Sequence, residues 1–450
     1  MSFPKNFVWG TATASYQVEG GAFDDGKGPS VWDMFCRQPG KIFEGNTGDV
    51  SCDHYHKYKE DARLMGQIGL KGYRFSISWP RVIPDGTGKV NAKGLAFYDR
   101  LVDALLENGV QPWVTLFHWD YPYALYNRGG WLNRDSSDWF AEYTKVIVEK
   151  LSDRVTHWMT LNEPQVFIDA GHRIGRHAPG LQLSLADLLL AAHNTLLSHG
   201  KAVQVIRSRA KAKPTIGAAP VGVTSFPASD TPRDIEAARR RMFSITQKDF
   251  GNNTWFADPM VWGNYPEDGL ALFGNDVPAF PAGDMKTICQ PLDFWGANVY
   301  QGQVVRASGK SGYELPAVDE GPALTTMGWR MTPPALYWGP RFLYERYKLP
   351  IVITENGTAV CEWPSLDGKV HDSQRIDFLN RYLREVKRAI DDGVKINGYF
   401  LWTLMDNFEW AHGYSQRFGI IYVDFATKKR ILKDSALWYK DIIASNGANL

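Results

Sequence analysis

The sequence predicts an α/β fold in which eight parallel strands, each followed by a helix, close into a single (β/α)8 TIM barrel. Three observations support this prediction. Short apolar runs alternate with amphipathic stretches along the whole chain, eight such runs can be counted, and the longest insertions lie mostly after them. Parallel strands need helical crossovers, which this alternation supplies. A doubly wound open sheet is the competing architecture, because it shows the same alternation.

Eight apolar segments have the length of barrel strands. In chain order they span residues 7–9, 72–79, 113–118, 157–162, 215–219, 294–300, 351–355 and 398–403. Between them, apolar positions at intervals of three and four residues predict helices over residues 94–108, 183–210, 334–347 and 374–392. Asn91 and the Asn108-Gly109 pair are predicted to cap the first of these helices at its two ends.

The domain organisation follows from the insertions and from the lack of linkers. A chain of 450 residues suggests about three domains by length alone. However, no Pro- or Ser-rich linker and no low-complexity stretch divides the sequence. The longer insertions, 33–50, 224–261 and 303–329, lie mostly after predicted strands, where a barrel builds its pocket. We therefore predict one domain over residues 1–450, with long loops between strands and helices forming the pocket.

Charge and composition limit the classes of partner. The formal net charge is +1 and charged residues make up 22%, with no block of like charge, so neither nucleic acid nor an anionic membrane surface is indicated. No run of 18 or more apolar residues could span a bilayer. The chain contains 17 tryptophans, 20 tyrosines and 23 phenylalanines, and aromatic faces stack on sugar rings, although large cores also collect them. A homo-oligomer is compatible with the sequence, which carries no signal for or against it.

The four cysteines and the first residues bear on cellular location. Cys36, Cys52, Cys289 and Cys361 show no metal or redox spacing and are expected to be buried thiols of a reducing compartment. A disulfide between Cys36 and Cys52 is the alternative. The first ten residues already contain an apolar strand, which leaves no room for a secretion signal. We therefore expect a cytoplasmic protein.

Two glutamates in matching contexts are the strongest functional signal. Glu163 ends the apolar run of TLNEP at 160–164, and Glu355 lies in ITENG at 353–357. On our strand count they end the fourth and seventh strands, and the carboxyl ends of all barrel strands open on one face. Two carboxylates across one pocket are the groups required to cleave a glycosidic bond. A helix cap or a lysine partner is the ordinary explanation for either glutamate alone, but two such contexts at matching strand ends favour catalysis.

Longer motifs identify a resemblance to a known family. The chain carries FVWGTATASYQVEG at 7–20, YRFSISW at 73–79 and NFEW at 407–410, and with TLNEP and ITENG these motifs span essentially its whole length. In this order they resemble glycoside hydrolase family 1. The resemblance implies a retaining β-glucosidase acting on terminal nonreducing β-D-glucosyl residues of cello-oligosaccharides and of aryl or alkyl β-glucosides. It also implies a covalent glycosyl-enzyme intermediate and some β-galactosidase or β-fucosidase activity.

The resemblance assigns catalytic roles to four residues. It implies that Glu163 is the general acid and base and that Glu355 is the nucleophile, with Arg74 and Tyr300 beside Glu355. A neighbouring guanidinium favours the ionised form of a carboxylate. Glu163 is expected to have a raised pKa while Glu355 is charged, and to act as a base once Glu355 is esterified. Hydrolysis by two carboxylates needs no metal or cofactor, and the histidines lack the spacing of zinc ligands.

The resemblance also implies a set of substrate contacts. The hydroxyls of the nonreducing sugar, the glycone, are expected to be held by Gln17, His118, Asn162 and Glu409. The aromatic floor and wall of the glycone site are expected to be Trp402, Trp410 and Phe418, and the stacking platform for the leaving group is expected to be Trp329. The set of predicted substrate contacts also includes Trp119 and Asn298. Without the motifs, His118 could equally be a hydrogen-bonded core histidine, and Phe418 and Trp329 could be ordinary core aromatics. One departure is His172, where the family commonly has an aromatic residue in a loop lining the leaving-group entrance.

Two alternatives within and beyond the family are weaker. A 6-phospho-β-glycosidase would need cations after the eighth strand, whereas Glu409 would repel a phosphate. A carbohydrate-binding pseudoenzyme is compatible with a barrel, because the fold does not fix function. Relatives of that kind lose one carboxylate, and this chain keeps both Glu163 and Glu355. We therefore expect a small-molecule β-glucoside or oligosaccharide as substrate.

Overall fold

The computed structural model describes residues 2–309, 312–317 and 320–450. Its strands are β1 (Val8–Ala12), β2 (Gly72–Ser76), β3 (Gln111–Phe117), β4 (His157–Asn162), β5 (Thr215–Ala219), β6 (Thr224–Pro227), β7 (Trp295–Asn298), β8 (Gly302–Val305), β9 (Ile351–Asn356), β10 (Ile396–Trp402), β11 (Ile421–Val423) and β12 (Arg430–Leu432). Eight of them form one parallel sheet, and β6 with β8 and β11 with β12 form two small strand pairs.

The large sheet closes on itself. Its strand order is β5-β4-β3-β2-β1-β10-β9-β7. The two ends meet, because Asp293 N donates to Ile216 O over 2.8 Å and Gly222 N donates to Asn298 O over 2.7 Å. A doubly wound open sheet would keep two free edges instead. The predicted (β/α)8 barrel is therefore confirmed.

Helices surround the barrel and fill the long loops. They are α1 (Ser15–Val18), α2 (Val31–Phe35), α3 (His54–Ile68), α4 (Trp79–Val82), α5 (Ala92–Glu107), α6 (Tyr123–Tyr126), α7 (Ser136–Leu151), α8 (Pro164–Ile168), α9 (Leu185–Arg209), α10 (Pro232–Phe243), α11 (Thr254–Trp262), α12 (Glu267–Phe273), α13 (Gly283–Ile288), α14 (Ala335–Tyr347), α15 (Ser373–Asp391) and α16 (Asp434–Ala444). Short 3-10 turns occupy Asp24–Gly26, Phe43–Gly45, Gly130–Leu132, Gly274–Asp276 and Trp410–His412, and a π turn occupies Asp169–Arg173. Within the described chain, no helix has the length and apolarity needed to cross a membrane.

All eight predicted strands are present, with ends that shift by a few residues. Every residue of β2 and β9 is buried, as expected for strands covered on both faces. The four predicted helices correspond to α5, α9, α14 and α15. One detail is wrong: Asn91 occupies the N-cap position of α5, but its side chain makes no cap bond and donates to Asp25 O and Arg81 O. At the other end Gly109 has a φ of 72°, as a C-terminal cap requires.

Aromatic rings fill the barrel interior beneath the site. The ring centroids of Trp113 and Phe400 lie 4.9 Å apart, and those of Trp113 and Phe294 lie 5.7 Å apart. A side chain at Gly10 would place its Cβ 2.5 Å from the Phe400 ring, so the absence of one makes room for that ring. The interior near the strand starts is therefore packed, which leaves space for ligands at the carboxyl ends.

The four cysteines differ from the sequence expectation in one respect. All of them are free thiols, so the alternative of a Cys36–Cys52 disulfide is wrong. Cys36 and Cys52 are buried as expected, but Cys289 is half-buried and Cys361 is exposed. Burial raises the pKa of the Cys36 and Cys52 thiols to about 12, so these two remain unreactive thiols.

A buried group of charges holds the loops that follow β9 and β10. Lys433 Nζ donates to Asp406 Oδ1 over 2.7 Å and also to Glu362. Arg375 forms a two-pronged ion pair with Glu362 at 2.9 and 3.1 Å and a further bond to Asp372. All five side chains are buried. The opposite charges in this group compensate each other. Moving either loop away from the helical layer would leave a buried charge unpaired, which is energetically unfavourable.

We expect Lys433→Met to lower the free energy of unfolding by about 3 to 5 kcal/mol, because the buried carboxylates of Asp406 and Glu362 would each lose one of their cationic partners. Urea unfolding followed by circular dichroism measures this loss. Lys440→Met is the matched control, since Lys440 is exposed on α16 and should change stability by less than about 0.5 kcal/mol. Equal stability of the two variants would contradict the role assigned to this charged group.

Candidate active site

A cavity of about 290 Å³ opens at the carboxyl ends of the barrel strands. Its lining combines carboxyl groups, imidazoles and aromatic rings. The lining residues are His118, Trp119, Glu163, Val166, Arg176, His177, Val221, Tyr300, Met327, Trp329, Glu355, Trp402, Glu409, Trp410, His412 and Phe418. Both glutamates singled out from the sequence therefore face the same space.

Glu163 sits at the turn between β4 and α8. Its backbone N donates to Ala219 O of β5 over 2.9 Å, and Pro164 starts the helix directly behind it. Glu163 occupies the N-cap position, but its side chain makes no capping bond. The ordinary explanation of a helix cap therefore does not account for this side chain, which is turned toward the cavity instead.

Three lining residues adopt a left-handed backbone. Glu163, Trp119 and Trp410 have φ values of 45°, 82° and 46°. Such conformations cost non-glycine residues about 1 to 3 kcal/mol and persist only where surrounding contacts enforce them. Their concentration around one cavity indicates that the loops are shaped to direct these three side chains inward.

Glu355 lies on β9 with both carboxylate oxygens hydrogen-bonded. Arg74 Nη1 donates to Oε1 over 2.6 Å, and the Tyr300 hydroxyl donates to Oε2 over 2.6 Å. Glu355 and Arg74 are 3% and 0% exposed, so this ion pair is shielded from water. The structure thus places Arg74 and Tyr300 beside Glu355, and a lysine partner is absent among the described residues.

Two amide side chains connect the glutamates. Asn162 Oδ1 accepts from Arg74 Nη2 and, over 2.9 Å, from Asn298 Nδ2. The same Asn298 Nδ2 donates to Glu163 Oε1 over 2.9 Å. Arg74, Asn162 and Asn298 therefore form one continuous hydrogen-bonded path from Glu355 to Glu163.

The two carboxyl groups differ in protonation. Burial and the negative charge of Glu355 raise the pKa of Glu163 to about 8. Burial also raises the pKa of Glu355, but the guanidinium of Arg74 and the hydroxyl of Tyr300 stabilise its charged form. Glu355 therefore ionises first, and at neutral pH this pair of groups supplies one proton donor and one carboxylate. This is the arrangement that two-step glycoside cleavage requires.

His118 offers a free hydrogen-bond donor. Because Asn162 Oδ1 accepts two bonds, its Nδ2 faces His118 and donates to Nε2 over 3.0 Å. The imidazole proton is thereby assigned to Nδ1, which is buried without a partner in the described part of the chain. Burial and the charge of Arg74 hold the pKa of His118 well below its usual range. The ring is therefore neutral and can donate to a ligand hydroxyl.

Gln17 and Glu409 form a second polar unit. Gln17 Nε2 donates to Phe408 O over 2.8 Å and to Glu409 Oε2 over 3.4 Å. Its Oε1 is buried without a partner among the described residues. Burial and the charge of Glu355 raise the pKa of Glu409 to about 8. A buried amide oxygen in need of a donor beside a carboxyl group suits adjacent hydroxyls of a sugar.

Aromatic rings enclose the inner part of the cavity. The His118 ring lies roughly parallel to Trp402 and Trp410, at 22° to each, with centroid distances of 5.8 and 5.9 Å. Trp119 packs on Trp410 with centroids 4.4 Å apart and donates from Nε1 to Asn162 O. Flat apolar surfaces beside free donors and acceptors suit the two faces of a pyranose ring.

Trp329 and Phe418 form an outer wall. Their ring centroids lie 6.0 Å apart, and Trp329 lies 5.1 Å from Tyr300. Phe418 is buried, whereas Trp329 is half-buried. Both line the cavity.

The structure brings all fourteen predicted site residues to this region. Ten line the cavity, and each of the other four is hydrogen-bonded to a lining side chain: Gln17, Arg74, Asn162 and Asn298. Lining residues that the sequence did not single out are Val166, Arg176, His177, Val221, Met327 and His412.

The loop that contains His172 divides between two places. His172 itself is buried away from the cavity, and its ring bonds to Phe167 O through Nδ1 over 2.9 Å. Arg176 and His177, four and five residues later, line the cavity. The loop was therefore correctly placed at the entrance, but His172 is the wrong residue to examine there. The sequence does contain one indication of Arg176: among residues 174–180 it is the one Arg, Lys, Asp or Glu.

A metal centre is not formed by the described residues, since no group of three or more His, Cys, Asp or Glu side chains in that part of the chain is arranged to hold an ion.

Comparisons with known proteins agree on one family. The family model described as Glycosyl hydrolase family 1 matches residues 1–448. "Beta-glucosidase A" of Acetivibrio thermocellus is 48% identical over 454 aligned positions, and "1,4-beta-D-glucan glucohydrolase" of Thermotoga neapolitana is 46% identical over 449, each with 99% of both chains covered. The structure of a "Family 1 b-glucosidase" from Thermotoga maritima matches with a TM-score of 0.90 at 44% identity and 99% coverage of both chains.

We expect Glu355→Gln to lower the pKa of Glu163 by on the order of one pH unit, because removing a nearby negative charge makes ionisation of Glu163 easier. Carbon-13 NMR titration of selectively labelled glutamate carboxyls measures the change, and the spectrum of Glu163→Gln assigns the signal. An unchanged or raised pKa would show that the two carboxyl groups do not interact.

Proposed function

Because the chain belongs to glycosyl hydrolase family 1, whose members hydrolyse glycosidic bonds, we propose that it is a retaining β-glucosidase. Its substrates are terminal nonreducing β-D-glucosyl residues of cello-oligosaccharides and of aryl or alkyl β-glucosides. One observation carries the proposal: a protonated Glu163 and an Arg74-paired Glu355 face one cavity. The relatives named as β-glucosidases support the choice of substrate.

In the first step, Glu163 donates its proton to the glycosidic oxygen while Glu355 attacks the anomeric carbon. The leaving group departs with the proton, and an ester forms between Glu355 and the sugar. Arg74 and Tyr300 hold the Glu355 carboxylate in place and keep it ionised before the attack. Asn162 contacts the 2-hydroxyl, where hydrogen bonding strengthens toward the transition state.

In the second step, Glu163 changes role. Esterification removes the negative charge of Glu355, which was one cause of the raised pKa of Glu163. The pKa of Glu163 therefore falls, and the ionised group takes a proton from the incoming water. The oxygen of that water bonds to the anomeric carbon, the ester bond to Glu355 breaks, and Glu355 is released as a carboxylate while Glu163 is protonated again. Two inversions at the same carbon give a product with retained β configuration.

The glycone is held by the inner polar groups. The free Nδ1 of His118 and the free Oε1 of Gln17 supply a donor and an acceptor, and Glu409 can form bonds to two neighbouring hydroxyls. Trp402 and Trp410 enclose the ring, Trp119 packs behind them, and Asn298 fixes the Glu163 carboxyl. Since these contacts tolerate an axial epimer at modest cost, we also propose some activity on β-galactosides and β-fucosides.

Trp329 is the platform for the leaving group, whereas Phe418 belongs to the aromatic wall of the glycone site. Trp329 offers aromatic surface next to Tyr300, with ring centroids 5.1 Å apart. A second sugar or an aryl group can stack there. This aromatic surface supports cello-oligosaccharides as substrates of the proposed activity. We therefore also propose a role in cellulose degradation.

The proposed domain organisation and cellular location follow from the whole chain and from its cysteines. We propose that residues 1–450 act as one catalytic domain and that the protein works in the cytoplasm, where its four free thiols would be kept reduced. The proposed chemistry requires neither a metal nor a cofactor. A homo-oligomer is compatible with it but not required by it.

Exchange of either glutamate for alanine tests the two roles. Glu355→Ala is expected to abolish hydrolysis and to regain activity with azide, which enters the space left by the carboxylate and gives an α-glucosyl azide. Glu163→Ala should slow cellobiose hydrolysis by about 10² to 10⁴-fold and spare aryl glucosides with activated leaving groups. Proton NMR of the products of the native enzyme should show the β-anomer first.

Controls for these variants are circular dichroism and thermal unfolding, which should match those of the native protein. Turnover of cellobiose at the native rate by either variant would refute the assignment. First appearance of the α-anomer from the native enzyme would refute the retaining mechanism even if both variants were inactive.

The pH dependence has an expected sign. Glu163 with its pKa raised to about 8 donates a proton below that pH and loses this ability as pH rises through it. kcat/KM for alkyl glucosides, which need the proton most, should therefore fall about tenfold per pH unit above that point. An activated aryl glucoside should show a weaker fall, and equal basic limbs for both substrates would argue against Glu163 as the acid.

A further inference from the structure

Arg176 places a charge at the mouth of the cavity, and no carboxylate among the described residues pairs with it. It lines the cavity and is exposed, and it lies on the loop that follows the π turn at Asp169–Arg173. Arg176 Nη2 lies 2.9 Å from His412 Nε2. Over the described ranges 2–309, 312–317 and 320–450, Arg176 makes no ion pair, and its other N–H groups have no bonding partner.

The neighbouring imidazoles do not offset this charge. A guanidinium can only donate, so His412 Nε2 accepts the bond and that ring is neutral. Burial and the charge of Arg176 lower the pKa of His412, and the same causes lower the pKa of His177 to about 3. The bond to His412 therefore orients the guanidinium and leaves its positive charge uncompensated.

The inner carboxyl groups do not neutralise Arg176 either. Glu163 and Glu409, with pKa values raised to about 8, carry protons at neutral pH. Glu355 is ionised, but Arg74 compensates it at hydrogen-bond distance. Among the described lining residues, Arg176 is the one permanent cation, so the mouth attracts anions.

Arg176 both lines the cavity and is exposed, which places it at the open end toward which a leaving group extends. Glu163 protonates the oxygen that joins the two parts of the substrate, so the leaving group begins at Glu163. Val166, on the helix that Glu163 precedes, also lines the cavity, and the exposed Arg176 lies further along the same connection. Because buried side chains such as His118 and Trp402 enclose the inner cavity, a leaving group extends from Glu163 toward the exposed end, where Arg176 lies.

We infer that Arg176 selects β-glucosides whose leaving group carries a carboxylate. The inference rests on the proposed function and deepens it by naming a substrate class. A guanidinium oriented by one bond keeps an open edge of N–H donors that matches the two oxygens of a carboxylate. Two chemical sources fit: an aldonic acid, in which the reducing sugar is oxidised to a carboxylic acid, and a phenolic acid attached through its hydroxyl.

Paired substrates test the inference and separate the two sources. The sugar pair is cellobionate with cellobiitol, which differ in charge but share an open-chain leaving group. The aryl pair is 4-carboxyphenyl with 4-carbamoylphenyl β-D-glucoside. kcat/KM is measured at pH 7 and low ionic strength for the native enzyme, Arg176→Gln and Arg176→Lys. For each substrate, kcat/KM of the native enzyme is divided by kcat/KM of the variant. Because both enzymes act on the same leaving group, this ratio removes the effect of leaving-group acidity.

Arg176→Gln is expected to reduce kcat/KM for the charged member of at least one pair by about two- to fivefold, mainly through KM, and to leave its neutral member unchanged. Arg176→Lys should restore part of the difference, because it keeps the charge but not the planar fork. Added salt should weaken the native preference, since the site is exposed. An effect in one pair alone would identify the source of the carboxylate.

Arg63→Gln is the matched control, since Arg63 is exposed on α3, makes no ion pair among the described residues and lies outside the cavity. It should leave all four rates unchanged. Equal effects of Arg176→Gln on charged and neutral members, or no effect on any, would overturn the inference while the proposed function stands. Failure of the native enzyme to hydrolyse the neutral substrates would overturn both.

Discussion

The whole site depends on the buried guanidinium of Arg74. From β2 it donates to Thr115 Oγ1 of β3 over 3.1 Å, to Asn162 at the end of β4, and to Glu355 of β9. A buried charge of this kind is tolerated only if its donors are satisfied and an opposite charge is close. Arg74 therefore requires an ionised Glu355, and it fixes the ends of four barrel strands relative to one another.

That constraint explains why the two glutamates are not equivalent although their sequence contexts match. Glu355 receives a charged donor and a hydroxyl, whereas Glu163 receives one amide N–H, from Asn298. In a cavity that excludes water, these few donors decide which group holds the proton. Glu409, also bonded through an amide, behaves like Glu163. The charge pattern thus follows from which donor each carboxyl group meets.

Sequence reasoning succeeded where strand periodicity or a long motif fixed the answer. The eight strands were found because burial on both faces makes each run apolar, and strand ends in a closed barrel converge by geometry. It failed where an outcome depended on distant chain segments. Asn91 has the residue type of a cap, yet Asp25 and Arg81 offer its amide better partners. His172 lies in the entrance loop, but an internal bond to Phe167 O turns it away.

The lining residues that escaped prediction share a physical cause. Arg176 and His412 are 236 positions apart and meet only because two loops from opposite sides of the barrel close over the same cavity. Loop conformation is set by such meetings and not by local propensity, so no pattern within either segment announces it. The inner carboxyl groups are protonated or paired with Arg74. The electrostatic potential at the mouth therefore depends on the charged side chains of these two loops. In this chain that charge is Arg176, so the chemistry proposed at the strand ends and the leaving-group preference proposed at the loops depend on separate parts of the sequence.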